Sequence, residues 1–199
     1  MRELRLGSEI VERLIPHRRP MLMIDGVVAF ERAPHAALKA YRNVSANEAV
    51  FAGHFPGLHL WPGVYTIEGL GQSMNVLFVL DSIAREYERR GRTEEDARKD
   101  LENLERGFRF APRHDPESAR ALLASIAESP QAARGGLSAA VDVKLLRPVF
   151  AGQRIDYTVT MTHTVESLAR CEVLAEVAGQ VVAKGTMSST LGFQLRVPW

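Results

Sequence analysis

From Val64 to Leu80 the chain is apolar almost all round, and the only charged side chain in those seventeen residues is Glu68. A helix apolar on every face is buried rather than amphipathic. The stretch is shorter than the roughly 20 residues a membrane span needs, and Glu68, Gln72 and Asn75 interrupt it. It therefore reads as a helix inside a soluble protein, and the rest of the chain has to cover it. Pro62 sits where such a helix can begin, because its missing N–H would be unpaired there anyway. Gly69 and Gly71 each cost about 1 kcal/mol against alanine in a helix. Their presence predicts a close approach by another backbone, that of a sheet wrapped on the helix. Glu68 and Gln72 lie four apart and share one face.

The covering sheet is legible on both sides. Met21 to Val28 is an apolar run that can become a strand only past Pro16 and Pro20. Ala36 to Val44 reads as its neighbour. From Leu137 the pattern has period two: Ile155, Tyr157, Val159 and Met161 alternate with polar residues, as do Cys171, Val173, Ala175 and Val177. Gly179-Gln180 marks a hairpin turn between two such runs, and Val181 to Thr190 makes a last strand. The predicted order is two strands, one buried helix, an insert, then about four strands. That is α+β logic, with a sheet curled around a helix in one domain spanning 1–199.

The insert, at about 82–136, has another character. Acidic and basic residues alternate from Arg85 to Arg109, which reads as a solvated helix laced with i,i+4 pairs. Pro112 and Pro116 break it, Glu117 to Ile126 reads as a second short helix, and Ser129 to Gly136 as a small-residue linker.

Composition excludes several classes of function. Over 199 residues the net charge is +1, which gives no case for a nucleic-acid binder. Cys171 is the only cysteine, so no internal disulfide or cysteine-based zinc site is possible, and a reducing cytoplasm is expected. Met1 to Gly7 lacks the apolar core and cleavage site of a signal peptide. No Walker loop, Gly-x-Ser-x-Gly elbow or Rossmann fingerprint is present, so phosphoryl transfer, serine-type acyl hydrolysis and hydride transfer drop out.

Two residues stand out as candidates for chemistry. His54 lies in a loop stiffened by Pro56 and Gly57, where it either acts on a substrate or merely bonds a loop carbonyl. Glu68 is an acid on a buried helix, so it must be paired, protonated or facing a cavity. Its structural alternative is a pairing with Arg147 or Lys144. The helix N-terminus at Gly63-Val64 offers free N–H groups to an oxygen that gains charge. His54 and His59 have no cysteine or carboxylate pair at ligand spacing, so no metal is expected. His17, His35, His114 and His163 read as ordinary surface or edge residues.

The run Asn47-Glu48-Ala49-Val50-Phe51-Ala52-Gly53-His54-Phe55-Pro56-Gly57, with Trp61-Pro62-Gly63-Val64 and Glu68 to Gln72, resembles the (3R)-hydroxyacyl-[acyl-carrier-protein] dehydratase family of the FabA/FabZ type. Ile15 to Asp25 resembles the family's opening, and Asp142 to Val149 the strand that follows its central helix. The histidine and the acid stand fourteen apart. The resemblance implies a hot-dog fold, an antiparallel sheet wrapped around a long central helix. It implies homodimers with two sites at the interface, and leaves open a hexamer built as a trimer of dimers. His54 from one chain would face Glu68 from the other. The histidine would take the α-proton of a 3-hydroxyacyl thioester, and the acid would protonate the departing hydroxyl. The Gly63 N–H would bind the thioester oxygen, Gln72 would help hold Glu68, and Val64 and Phe55 would contact substrate. No cofactor is implied, and the acyl chain would arrive on a carrier protein's phosphopantetheine arm.

This chemistry needs a base and an acid on either side of one substrate, with His54 neutral to accept and Glu68 protonated to donate. Leu58-His59-Leu60-Trp61 and the insert depart from the family pattern, and the insert leans toward a specialised lipid or polyketide pathway rather than general fatty-acid synthesis. Glutamate at 68, where isomerising members carry aspartate, leans toward simple dehydration. Arg147, Lys144 and Arg196 are candidates for docking an acidic carrier protein. The competing readings are a hot-dog thioesterase and a non-catalytic partner subunit.

Overall fold

The computed structural model describes residues 1–110 and 134–194. Seven strands form one antiparallel sheet in the order β1-β2-β3-β5-β6-β7-β4: β1 (Arg2–Leu6), β2 (Gly26–Glu31), β3 (Ala37–Asn43), β4 (Arg134–Leu145), β5 (Arg154–Val165), β6 (Leu168–Val177) and β7 (Gln180–Gln194). The sheet curls round helix α2 (Gly63–Arg89), which touches β3, β4, β5, β6 and β7. Helices α1 (Ser8–Leu14) and α3 (Glu94–Phe110) pack beside it. The predicted wrapped-helix architecture is what the chain adopts.

The central helix is longer than its apolar stretch. It starts at Gly63, straight after Pro62, and continues nine residues past Leu80 to Arg89. Residues 82–89 thus belong to the core helix and not to an insert. Its later turns stay buried through Ile83, Ala84 and Tyr87, while arginines on the other face pair with acids, as Arg85 does with Asp81 and Arg90 with Glu86. Gly91, at φ 74°, takes the left-handed conformation that ends it.

Of the two helical glycines, only Gly69 is required by packing. A Cβ there would lie 2.3 Å from the Tyr157 hydroxyl, so the close neighbour is a tyrosine ring of β5 and not a backbone. At Gly71 a Cβ would make ordinary contact with the Met187 methyl at 3.4 Å. The expectation of a close approach holds at one position, and its partner is a side chain.

Other elements also differ from the sequence reading. β1 and α1 precede the two anticipated strands; only Leu4 and Leu6 of β1 are buried, too short a pattern to stand out. Met21 to Asp25 is an irregular segment ahead of β2, with Met21 exposed and Leu22, Met23 and Ile24 in the core. Helix α3 is not merely solvated. Ala97, Leu101 and Leu104, spaced four and three apart, are buried, and the guanidinium of Arg98 reaches inward to the carbonyls of Glu3 and Phe30. Thr93 caps it reciprocally: its hydroxyl accepts the Asp96 N–H, and the Asp96 carboxylate accepts the Thr93 N–H. The part expected to be a linker at 134–136 is already strand. The second helix expected at 117–126, Pro112, Pro116, His114 and Arg196 lie outside the described residues.

The expected hairpin forms one residue earlier than Gly179-Gln180, because Gln180 already pairs with Val177 as the start of β7. Ala178 and Gly179 both have positive φ, 49° and 73°, the two-residue turn whose twist suits the flanking strands.

Candidate active site

His54 is held by its own loop. A short 3-10 turn, Ala49–Ala52, ends in Gly53, and the His54 N–H closes back on the Val50 carbonyl at 2.9 Å. Phe55 and Leu58 then exchange two backbone hydrogen bonds across Pro56-Gly57, with Gly57 at φ 80°. The His54 Nδ1 stands 2.8 Å from the Leu60 carbonyl oxygen. A carbonyl can only accept, so Nδ1 carries the hydrogen and Nε2 keeps its lone pair. The imidazole is thereby set up as a proton acceptor at Nε2. It stacks on Phe55, with ring centres 4.3 Å apart.

The far end of the loop is anchored in the core. Trp61 is buried, its backbone N–H bonds the Val149 carbonyl, and its ring meets Phe51 edge-on. The guanidinium of Arg42 lies over the Trp61 ring and bonds Asp25 and Glu48, while Asp25 also accepts the Asn43 N–H. Arg42 is almost fully buried, so this network joins β3, the segment before β2 and the start of the histidine loop.

His54 opens on a cleft of about 320 Å³ that also includes Trp61, Gly63, Thr66, Leu145 and Pro148. Gly63 and Val64 form the first turn of α2, where N–H groups have no carbonyl four residues back. A Cβ on Gly63 would fall 2.3 Å from a methyl of Leu145, so glycine lets β4 close over the helix end. Val64 and Phe55 are largely exposed beside it.

Glu68 lies elsewhere. It does not line the His54 cleft, and neither Arg147 nor Lys144 pairs with it; Arg147 donates to Gln180. Instead Gln72 donates to Glu68 Oε1 at 2.8 Å and to the Met21 carbonyl at 2.6 Å, while its own carbonyl accepts the Met23 N–H at 2.8 Å. Since Met23 N–H can only donate, the orientation of this buried amide is fixed. His17 Nε2 lies 3.5 Å from the same Oε1. His17, taken from sequence for an ordinary surface residue, therefore belongs to the acid's surroundings. The available signal was its place just before Leu22 to Ile24, whose burial draws the segment onto α2. Burial holds the His17 pKa below its ordinary value, outweighing the upward pull of Glu68.

Within one chain, then, His54 and Glu68 face different spaces. Among the described residues β4 bonds only β7, its other edge pairs with no strand, and it exposes Leu137, Val141 and Leu145. Among the described residues no group of three His, Cys, Asp or Glu side chains is arranged to hold a metal, and no helix is long and apolar enough to cross a membrane.

A FabA-like domain model matches residues 15–100, the span that carries both candidate residues. A 3-hydroxyacyl-[acyl-carrier-protein] dehydratase FabZ of Erwinia tasmaniensis is 31% identical over 180 residues, covering 90% of this chain and 88% of the relative. The chain belongs to the FabZ dehydratase family. FabZ dehydratases of a Nitratiruptor species and of Mannheimia succiniciproducens are 46% and 53% identical over 78 and 64 residues, or 39% and 32% of this chain. In those matches the chain spans about half the length of the FabZ relatives, 51% and 41%. Among solved structures, the dehydratase heterocomplex ApeI:P from Xenorhabdus doucetiae superimposes with a TM-score of 0.54 at 15% identity, covering 92% of this chain and 91% of that one. A sigma28-regulated virulence protein from Campylobacter jejuni gives 0.51 at 8% identity, covering 92% and 88%. At those identities the likeness is one of fold, and the fold is the hot-dog.

Proposed function

We propose that this FabZ-family chain removes water from 3-hydroxyacyl thioesters carried on acyl-carrier protein, leaving trans-2-enoyl thioesters for lipid assembly in the cytoplasm. The observation that carries this reading is the Leu60 carbonyl on His54 Nδ1, which leaves Nε2 as a base at the mouth of an apolar cleft. Nε2 takes a proton from the α-carbon, and the C–H electrons move toward the thioester carbonyl. The first N–H groups of α2, at Gly63 and Val64, receive the charge that gathers on that oxygen. The β-carbon–oxygen bond then breaks as Glu68 gives its proton to the hydroxyl, which departs as water, and the α,β double bond closes. The proton held on Nε2 then returns to the Glu68 carboxylate through solvent, which resets both groups for the next turnover.

Acid and base come together in a homodimer in this reading. The open edge of β4, with its exposed Leu137, Val141 and Leu145, supports pairing with a second copy. His54 then meets Glu68 of the partner subunit, and each dimer holds two sites. The test is direct. Purified protein receives 3-hydroxybutyryl and longer 3-hydroxyacyl carrier-protein thioesters, alongside His54→Ala and Glu68→Gln. Enoyl product from the wild type, lost in both variants, is the expected result. Free thiol release would mark a thioesterase, and neither product a non-catalytic subunit; either outcome overturns the proposal.

A further inference from the structure

The proposed chemistry leaves His17 without a task, yet its surroundings are specific. His17 sits between Pro16 and Arg18 in the segment that Gln72 binds to α2 through Met21 and Met23. Its Nε2 faces Glu68 Oε1 at 3.5 Å. Its Nδ1 is buried and has no hydrogen-bond partner among the described residues. A buried N–H without an acceptor is rarer and costlier than a buried lone pair. The hydrogen of the neutral ring therefore belongs on Nε2, pointing at the carboxyl. The neutral form is the one that burial favours here.

Two donors then converge on one oxygen: Gln72 Nε2–H and His17 Nε2–H both address Glu68 Oε1. A carboxyl whose Oε1 is occupied by two donors must carry its acidic hydrogen on Oε2. We propose that His17 is a positioning residue which, with Gln72, clamps Glu68 Oε1 so that the proton to be transferred sits on Oε2, the oxygen turned to the substrate hydroxyl. This rests on the dehydratase reading above and adds to it the residue that decides which oxygen is the acid. The His17 contact is at ion-pair range, and shortens once substrate engages Glu68, as catalytic hydrogen bonds do.

The charged groups acting on His17 are Glu68, from α2, and its own neighbour Arg18. Three variants separate a clamp from a packing role. His17→Leu keeps the bulk and loses the donor. His17→Gln puts an amide N–H near the position of Nε2. Glu68→Gln removes the charge. For His17→Leu the expected result is a fall in kcat of roughly tenfold or more with KM little changed, and a limb of the kcat–pH profile that moves to higher pH. His17→Gln recovers most of the rate and returns the limb. A His17→Leu profile that superimposes on the wild type would overturn the clamp, as would a loss that His17→Gln fails to restore.

Nitrogen-15 NMR of the free protein reads the contact without turnover. The expected spectrum shows His17 protonated at Nε2 near neutral pH, with its titration moving to lower pH in Glu68→Gln. Protonation at Nδ1, or a titration unmoved by Glu68→Gln, would also overturn it. A wild type with this NMR signature but no enoyl product would remove the dehydratase reading and the catalytic role with it, while the contact stands.

Discussion

The Nδ1 of His54 bonds the carbonyl of Leu60, six residues along the same loop, and so commits the ring to one tautomer. The backbone that makes this bond is itself fixed by Trp61 against Val149. His54→Ala should lower turnover of 3-hydroxyacyl thioesters by about 10²–10⁴-fold. Its thermal unfolding should stay close to wild type, because the side chain only partly fills the cleft. Steady-state kinetics and calorimetry on the same preparation check both halves.

His54 and Glu68 occupy separate spaces in one protomer, so in the proposed dimer an inactive variant of each should complement the other. Mixing His54→Ala with Glu68→Gln, after mild dissociation and reassociation, is expected to regain part of the lost activity, since mixed dimers hold one site with both groups intact. Val141→Lys, on the open edge of β4, should shift the protein to monomers in sedimentation and remove activity in parallel.

Gly69 and Tyr157 form a matched pair. The Tyr157 hydroxyl is buried without a hydrogen-bond partner among the described residues, so Tyr157→Phe is expected to be neutral or to stabilise by about 1 kcal/mol. Gly69→Ala should cost about 1–3 kcal/mol by overpacking. Gly71→Ala, with ordinary room for its methyl, should instead gain about 0.5–1 kcal/mol. Urea unfolding of the three variants distinguishes them.

Burial lowers the His17 pKa, so the folded chain binds that proton less readily than the unfolded one. Stability contributed by this group is full above the ordinary value near 6.5 and falls as the pH drops below it, because the unfolded state takes up the proton first. Thermal unfolding measured from about pH 7.5 to about pH 5 should fall less steeply in His17→Gln than in the wild type.

Arg42 is buried and holds two part-buried carboxylates. Arg42→Met takes the guanidinium from Glu48 and leaves Asp25 with Arg19 and the Asn43 N–H, and should destabilise by about 3 kcal/mol. Arg42→Lys should recover little, since an ammonium cannot span both acids and cover Trp61. Chemical denaturation reads the stability, and a raised KM in surviving enzyme would report the loosened histidine loop.

Much of this was open to inspection in the chain itself. The apolar run after Pro62 forced a buried helix, and period-two residues from Ile155 to Val177 forced the sheet that covers it. The Gly-His-Phe-Pro-Gly run and Glu68 marked the candidate site. What stayed hidden was what depends on distant partners. Leu101 and Leu104 were outweighed by the charges around them, because nothing local says that β1 and α2 will supply an apolar wall. Arg98 looked like a solvent residue, and only the fold brings the carbonyls of Glu3 and Phe30 to it. His17 and Glu68 are 51 positions apart, and their meeting depends on Gln72 gripping Met21 and Met23.

The cleft that holds His54 has no acidic residue among its described walls. In the proposed dimer a lone protomer holds half of a reaction centre, and dilution alone becomes an inhibitor: specific activity should rise with enzyme concentration until subunits are saturated with one another, making assembly a precondition of turnover.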